Sequence, residues 1–401
     1  IPAAKAAPRA LSLRPGGAAS PAAAPAVRGR MPLLDIAKGI ACAVIVGHHL
    51  SRYGVMPEGA LAAAPVFFGW LADEGRLAVQ VFLVIAGFLA AASLAPDGVL
   101  RADRSPAARI WQRYGRLVMP YLAALTACVL VAALVRPLLG DEDVPAAPSL
   151  GQLLAHGLLL QDLLGYEALS TGVWYVAIDF QLFVLAPALL HLPAAWRRAP
   201  ANAPLSRRER RGPVAVVLAA AVASLALFNR QADLDDTAFY FFGAYGIGML
   251  VFWIGRATRA STWQGAVALL VLTGAAALAM DWRSRSAPGV AGALRVAIAQ
   301  RRGWLELAGR PGFAMPLQRL GRISYSLFLI HFPVLLATNA LVARMEPHPG
   351  WIDALGLATT FALSVAAAHL LYRKVEARPA SWRAVAALFT ALLVSGVLVS
   401  A

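Results

Sequence analysis

Two short segments carry side chains that an apolar environment does not ordinarily tolerate. The first reads Asp35-Ile-Ala-Lys38-Gly39, then an apolar run, then His48-His49. An acid or an amine near a bilayer centre costs about 2.5–3.5 kcal/mol on insertion scales. Charged groups held at that cost usually face a polar interior and act there. Helical periodicity sorts them. At 100° per residue, Lys38 and His49 fall within about 20° of each other around the axis, and Asp35 lies about 40–60° to one side. His48 is turned away by about 100°. Asp35, Lys38 and His49 therefore share one stripe, and His49 is the better catalytic candidate of the two imidazoles. His is suited to general base work or to brief acyl transfer near neutral pH.

Lys38 and His49 are separated along the axis by about 16 Å. They cannot grip one atom. A ligand touching both is long, with an anionic end at Lys38 and a reactive end at His49. An acyl-CoA, a quinone and a lipid all meet that length. Asp35 and Lys38 also stand at i,i+3 spacing, which suits an ion pair.

The second segment is Trp174-Tyr175-Val-Ala-Ile-Asp179-Phe-Gln181. Asp179 falls near the depth expected of His49, where a carboxylate could orient the imidazole or exchange protons with it. Arg113 and Arg116 suit the phosphates of a nucleotide-bearing donor. Ser324 and His331 are seven residues apart and share a helix face. Glu376 follows Arg373 by three positions, a spacing for an ion pair.

The elements that must position these groups are membrane spans. The chain has 401 residues, 59% hydrophobic and only 14% charged, against about 25% charged in a soluble domain. The reading is an all-α, polytopic helix bundle. Apolar runs fall at 33–50, 77–95, 117–135, 173–191, 214–229, 238–255, 263–280, 288–300, 323–343, 352–372 and 383–400. The run at 288–300 is short and interrupted by Arg295.

The net charge of +15 sits in short loops such as 96–116 and 192–213. That is the pattern of topogenic charge rather than of nucleic-acid binding. Alternation of basic and acidic loops stays in phase when 288–300 crosses. This gives about ten to eleven spans with the N-terminus cytoplasmic. Richness in Ala and Arg points to a GC-rich bacterial source and so to the cytoplasmic (inner) membrane.

Residues 1–30 read as a disordered basic tail with Met31 as the expected natural start, and no cleavable signal peptide is evident. Residues 152–165 read as an amphipathic segment at the outer interface. Cys42 and Cys128 lie in apolar runs, away from metal-ligand spacing. No metal or permanently bound cofactor is expected.

These segments, in this order, resemble the membrane acyltransferase-3 family. The first-helix signature is Asp35 to His49, with Lys38 where Arg is usual. Val79–Leu89 resembles the second-helix signature, and Arg113–Tyr121 the basic entry to the third helix. Trp174–Phe183 resembles a Trp-Tyr…Glu-x-Gln motif, with Asp179 for Glu. Gly321–Pro333 resembles the Ser-Tyr…His-x-Pro motif, and Glu376–Pro379 a closing signature.

The resemblance spans residues 31–380 and leaves 381–401 as an additional C-terminal helix. It implies an O-acyltransferase using acyl-CoA, most simply acetyl-CoA. The acceptor would be a sugar, glycan, glycolipid or secreted small molecule. His49 would act with His48, Asp35 and Asp179 near the chemistry. Lys38, Arg113 and Arg116 would hold the donor, and Trp174, Tyr175, Gln181, Ser324, Tyr325 and His331 the substrate. The partners would be a carbohydrate or lipid-linked acceptor and membrane lipids. The competing reading is a non-catalytic transporter or flippase of a polar lipid or glycan, with the same polar stripe lining a translocation path.

Overall fold

In the computed structural model the described residues are 31–140, 143–195, 207–280, 286–306, 314–345 and 347–400. The tail 1–30 lies outside them. Among the described residues the chain is helical and without strands. The helices are α1 (Pro32–Leu50), α2 (Met56–Ala63), α3 (Pro65–Glu74), α4 (Val79–Leu94) and α5 (Pro106–Val135). They continue with α6 (Leu150–Gly157), α7 (Val173–Ala195), α8 (Arg207–Ala226), α9 (Ala238–Gly255) and α10 (Ala260–Met280). The last are α11 (Ser286–Arg301), α12 (Ala314–Arg322), α13 (Ser324–Val342), α14 (Gly350–Leu371) and α15 (Trp382–Ser400).

Nine of the described segments are long and apolar enough to cross a bilayer. The runs expected at 263–280 and 288–300 are the helices α10 and α11, which lie outside those nine. α11 has 16 residues, about 24 Å of helix against a hydrocarbon core of about 30 Å.

Local signals explain the ends. α1 opens with Pro32 and carries Asp35 in its first turn, where proline is pre-organised and an acid complements the helix dipole. Ser105 caps α5 by accepting from Ala108 N at 3.2 Å. Ser149 and Gln152 form a reciprocal capping box at α6.

The stretch 51–76, outside the expected runs, holds α2 and α3, with Pro57 and Pro65 at helix starts. A single turn, Gly75–Ala78, joins α3 to α4, because Gly75 lies against His48 Cβ and the Val44 carbonyl. Of the segment 152–165, α6 takes the residues through Gly157; Leu159 then takes a left-handed φ of 59°, and the chain turns back. The stretch before the ninth expected run holds α12.

Without a hydrophobic force between helices in lipid, close packing needs small residues at contacts. A Cβ at Gly39 would collide with the Leu317 carbonyl, and one at Gly321 with the Asp35 carbonyl. That reciprocal approach presses α12 against the charged end of α1. Buried apolar residues form two clusters, one drawing on α5, α13, α14 and α15, the other on α4, α8, α9 and α11. α1 and α7 contribute to both, and these two helices carry the two polar segments described above.

Candidate active site

A cavity of about 1000 Å³ lies along α1 and α7. Its lining runs from exposed Arg322 and Arg378, which mark its mouth, to the buried Phe328. Its polar wall comprises Asp35, Lys38, Gln112, Arg113, Arg116, Asp179 and Glu376. The structure thus gathers Asp35, Lys38, Arg113, Arg116, Tyr175, Asp179, Ser324 and Tyr325 around one space.

At the mouth, Lys38 Nζ pairs with Asp35 Oδ1 at 2.8 Å. Arg116, Arg322 and Arg378 are exposed there, and among the described residues none of the three has an ion pair. Three guanidinium groups facing one opening suit a ligand with several phosphates.

His49 and His48 diverge as the helical period requires. His48 Nδ1 meets the Leu71 carbonyl at 3.0 Å, tying α1 to α3. His49 Nδ1 lies 2.8 Å from His331 Nε2, and the two rings are within 14° of parallel. His331 Nδ1 in turn lies 2.8 Å from the Phe328 carbonyl. A carbonyl only accepts, so His331 Nδ1 carries the hydrogen. The neutral ring then accepts at Nε2, and His49 Nδ1 donates to it. This relay leaves the His49 Nε2 lone pair unshared, the arrangement of an oriented base.

Asp179 has a different neighbour from the one expected. Its carboxylate forms an ion pair with Arg113 Nη2, and the guanidinium lies over the Phe183 ring at 5.4 Å. Asp179 is 6% exposed and Arg113 34%. A carboxylate so enclosed needs a full counter-charge, which Arg113 supplies from α5, and the imidazole partner of His49 is His331 instead.

The remaining expected residues divide. Ser324 Oγ donates to the Gly321 carbonyl at 2.9 Å, and Tyr325 Oη donates to the Leu117 carbonyl at 2.8 Å. Both line the cavity but spend their hydroxyl protons on backbone. Trp174 packs on Phe241 at 5.4 Å, away from the cavity wall. Gln181 is also absent from that wall. Its amide donates to the Asp236 carbonyl at 3.3 Å and accepts from Ala238 N at 3.0 Å, securing the start of α9.

Glu376 departs from the Arg373 pairing that its spacing suggests. A π-helical turn, Tyr372–Glu376, follows α14. Glu376 Oε2 accepts from Ser326 N at 3.1 Å and from Ser326 Oγ at 2.5 Å. It caps the start of α13, the helix that carries His331. π turns recur at functional sites, but they leave no simple sequence signal. Phe328, Arg322 and Arg378 were the other residues not singled out; the motifs that contain them were visible, their convergence was not.

Comparison with family models matches residues 32–373 to the acyltransferase-3 family, whose model is described as an acyltransferase domain. No curated protein and no solved structure matches the chain. The matched residues run from α1 into the π turn after α14 and contain the cavity's polar wall except Glu376, the histidine relay and most of the spans; the chain belongs to the acyltransferase-3 family and is an integral-membrane acyltransferase.

Proposed function

We propose that the chain moves an acyl group, most simply acetyl, from an acyl-CoA to a hydroxyl of a sugar, glycan, glycolipid or secreted small molecule. The observation that carries this reading is the unshared Nε2 of His49, fixed by His331 beyond the apolar end of a cavity whose mouth presents arginines. The donor's phosphates meet Arg116, Arg322 and Arg378, with Lys38 and Arg113 deeper. The thioester points toward His49.

His49 Nε2 takes the proton of the acceptor hydroxyl as its oxygen attacks the thioester carbonyl. The new C–O ester bond forms and the C–S bond breaks. The thiolate of CoA leaves and takes the proton from His49. The products are the acylated acceptor and free CoA thiol, with no net gain or loss of protons. His49 acting briefly as the acyl carrier gives the same balance. The basic loops support a cytoplasmic cavity mouth and N-terminus, in a bacterial inner membrane, with the acceptor approaching from the other side.

Membership of an acyltransferase family favours this reading over the transporter alternative. The test is mass spectrometry of surface glycans and lipids from cells with and without the gene, together with thiol release from acetyl-CoA by purified protein. One acyl increment in mass, dependent on His49, is expected. Vesicle transport of a polar lipid or glycan with no thiol release would overturn it.

A further inference from the structure

The cavity stops short of the imidazole pair. Neither His49 nor His331 is among its lining residues, and the two are 6% and 0% exposed. One ring stands between. Phe328 lines the cavity, and its centroid lies 6.4 Å from that of His49 and 6.2 Å from that of His331. Tyr175 meets Phe328 edge-on at 5.6 Å and faces Phe82 at 6.1 Å on its other side. At these centroid separations the rings are in contact and leave no slot.

Behind Phe328 the space is equally tight. Gly172 has φ +79°, and a Cβ there would stand 2.8 Å from Phe328 Cζ and 3.2 Å from His49 Cε1. Only a hydrogen fits between the backbone, the phenyl ring and the imidazole. A group arriving from the cavity past this wall reaches His49 by taking the place of the Phe328 ring. The volume it gains is about that of one side chain, closed at the far end by Gly172.

We propose that Phe328 sets the upper length of the acyl chain. A short acyl group such as acetyl fits the space that the ring vacates when it turns aside. A longer chain also needs the space into which the ring has turned, because Gly172 and the imidazole pair close the far end. This rests on the acyl-CoA reading given above and adds a size limit with a named cause. One methylene in an apolar pocket is worth about 10–200-fold in discrimination, so a single side chain suffices.

The test uses membrane vesicles holding the full chain, with acetyl-CoA and hexanoyl-CoA as donors and the acceptors native to those membranes. Release of CoA thiol is measured against vesicles lacking the protein. Wild type should prefer acetyl-CoA over hexanoyl-CoA by at least about tenfold in kcat/KM. Phe328→Ala should lower that ratio by about tenfold or more, and Phe328→Leu should fall between. If Phe328→Ala fails to reach the membrane, Phe328→Leu carries the comparison.

A wild type that uses both donors equally overturns the size limit. So does a variant that releases thiol from acetyl-CoA and keeps the wild-type ratio. A wild type that releases no thiol from either donor overturns the acyl-CoA reading itself, and the size limit with it.

Discussion

His49 Nδ1 and His331 Nε2 stand 2.8 Å apart although 282 residues separate them in sequence. The second imidazole holds the first in one tautomer, and the Phe328 carbonyl holds the second. Orientation of a base by a neighbouring hydrogen bond is the usual way that one ring nitrogen is kept free for proton transfer.

Removing the base and removing its support should therefore differ. His49→Ala is expected to lower acyl transfer by about 10²–10⁴-fold, the range for general base catalysis. His331→Ala should lower kcat while leaving KM for the donor near its wild-type value, because His331 touches His49 and not the cavity. His48→Ala should leave kcat within a few-fold, since His48 is turned to Leu71. Steady-state thiol release on the three variants checks this, and equal losses for His48 and His49 would refute the assignment.

The Arg113–Asp179 pair makes a stability prediction. Asp179→Asn leaves a half-buried guanidinium without its counter-charge, a loss of up to about 3 kcal/mol at a largely enclosed pair. Replacing both partners together, as Arg113→Met with Asp179→Leu, should recover most of the thermal stability in detergent. It should not recover donor affinity, because the positive charge on the cavity wall is gone. A double variant no more stable than Asp179→Asn would count against the pair as the cause.

The clasp around His156 should respond to acid. His156 Nε2 accepts from Leu169 N at 3.1 Å, and its Nδ1 meets the Gln152 carbonyl at 2.9 Å. Burial pushes its pKa down from 6.5 to about 4. The folded form thus binds fewer protons than the unfolded chain between those values. Stability contributed by this neutral ring is present above pH 6.5 and is lost as pH falls toward 4. Melting temperatures measured from pH 7 to pH 4 should fall in wild type, with a shallower slope in His156→Gln. Parallel slopes would exclude His156 as the sensor.

The approach of α1 to α12 predicts intolerance of any side chain at its glycines. Gly39→Ala and Gly321→Ala each set a methyl against a backbone carbonyl, where little can shift. Overpacking of this kind costs about 1–3 kcal/mol. Both should lower thermal stability, and both should weaken donor use by moving Lys38 and Arg322. Gly265→Ala, in open space, serves as the control and should be neutral in both assays.

The sequence by itself determined what is local. Apolar run length marked the spans, and helical period turned His49 away from His48 and aligned it with Lys38. Spacing also foresaw the Asp35–Lys38 ion pair, since i,i+3 neighbours need no tertiary partner. The order of motifs pointed to the family that the match over residues 32–373 establishes. Period and spacing act within a few turns of one helix, so they could reach no further.

Tertiary structure decided every partner that lies on another helix. Asp179 met Arg113 rather than His49, Glu376 met Ser326 rather than Arg373, and Gln181 turned to the start of α9. The physical reason is that an enclosed charge or amide is satisfied by whichever complementary group packing brings to it. Packing is set by close contacts such as Gly39 with Leu317, between residues far apart in the chain. His331 was already among the site residues by motif. Only the approach of α13 to α1 made it the group that fixes the tautomer of His49.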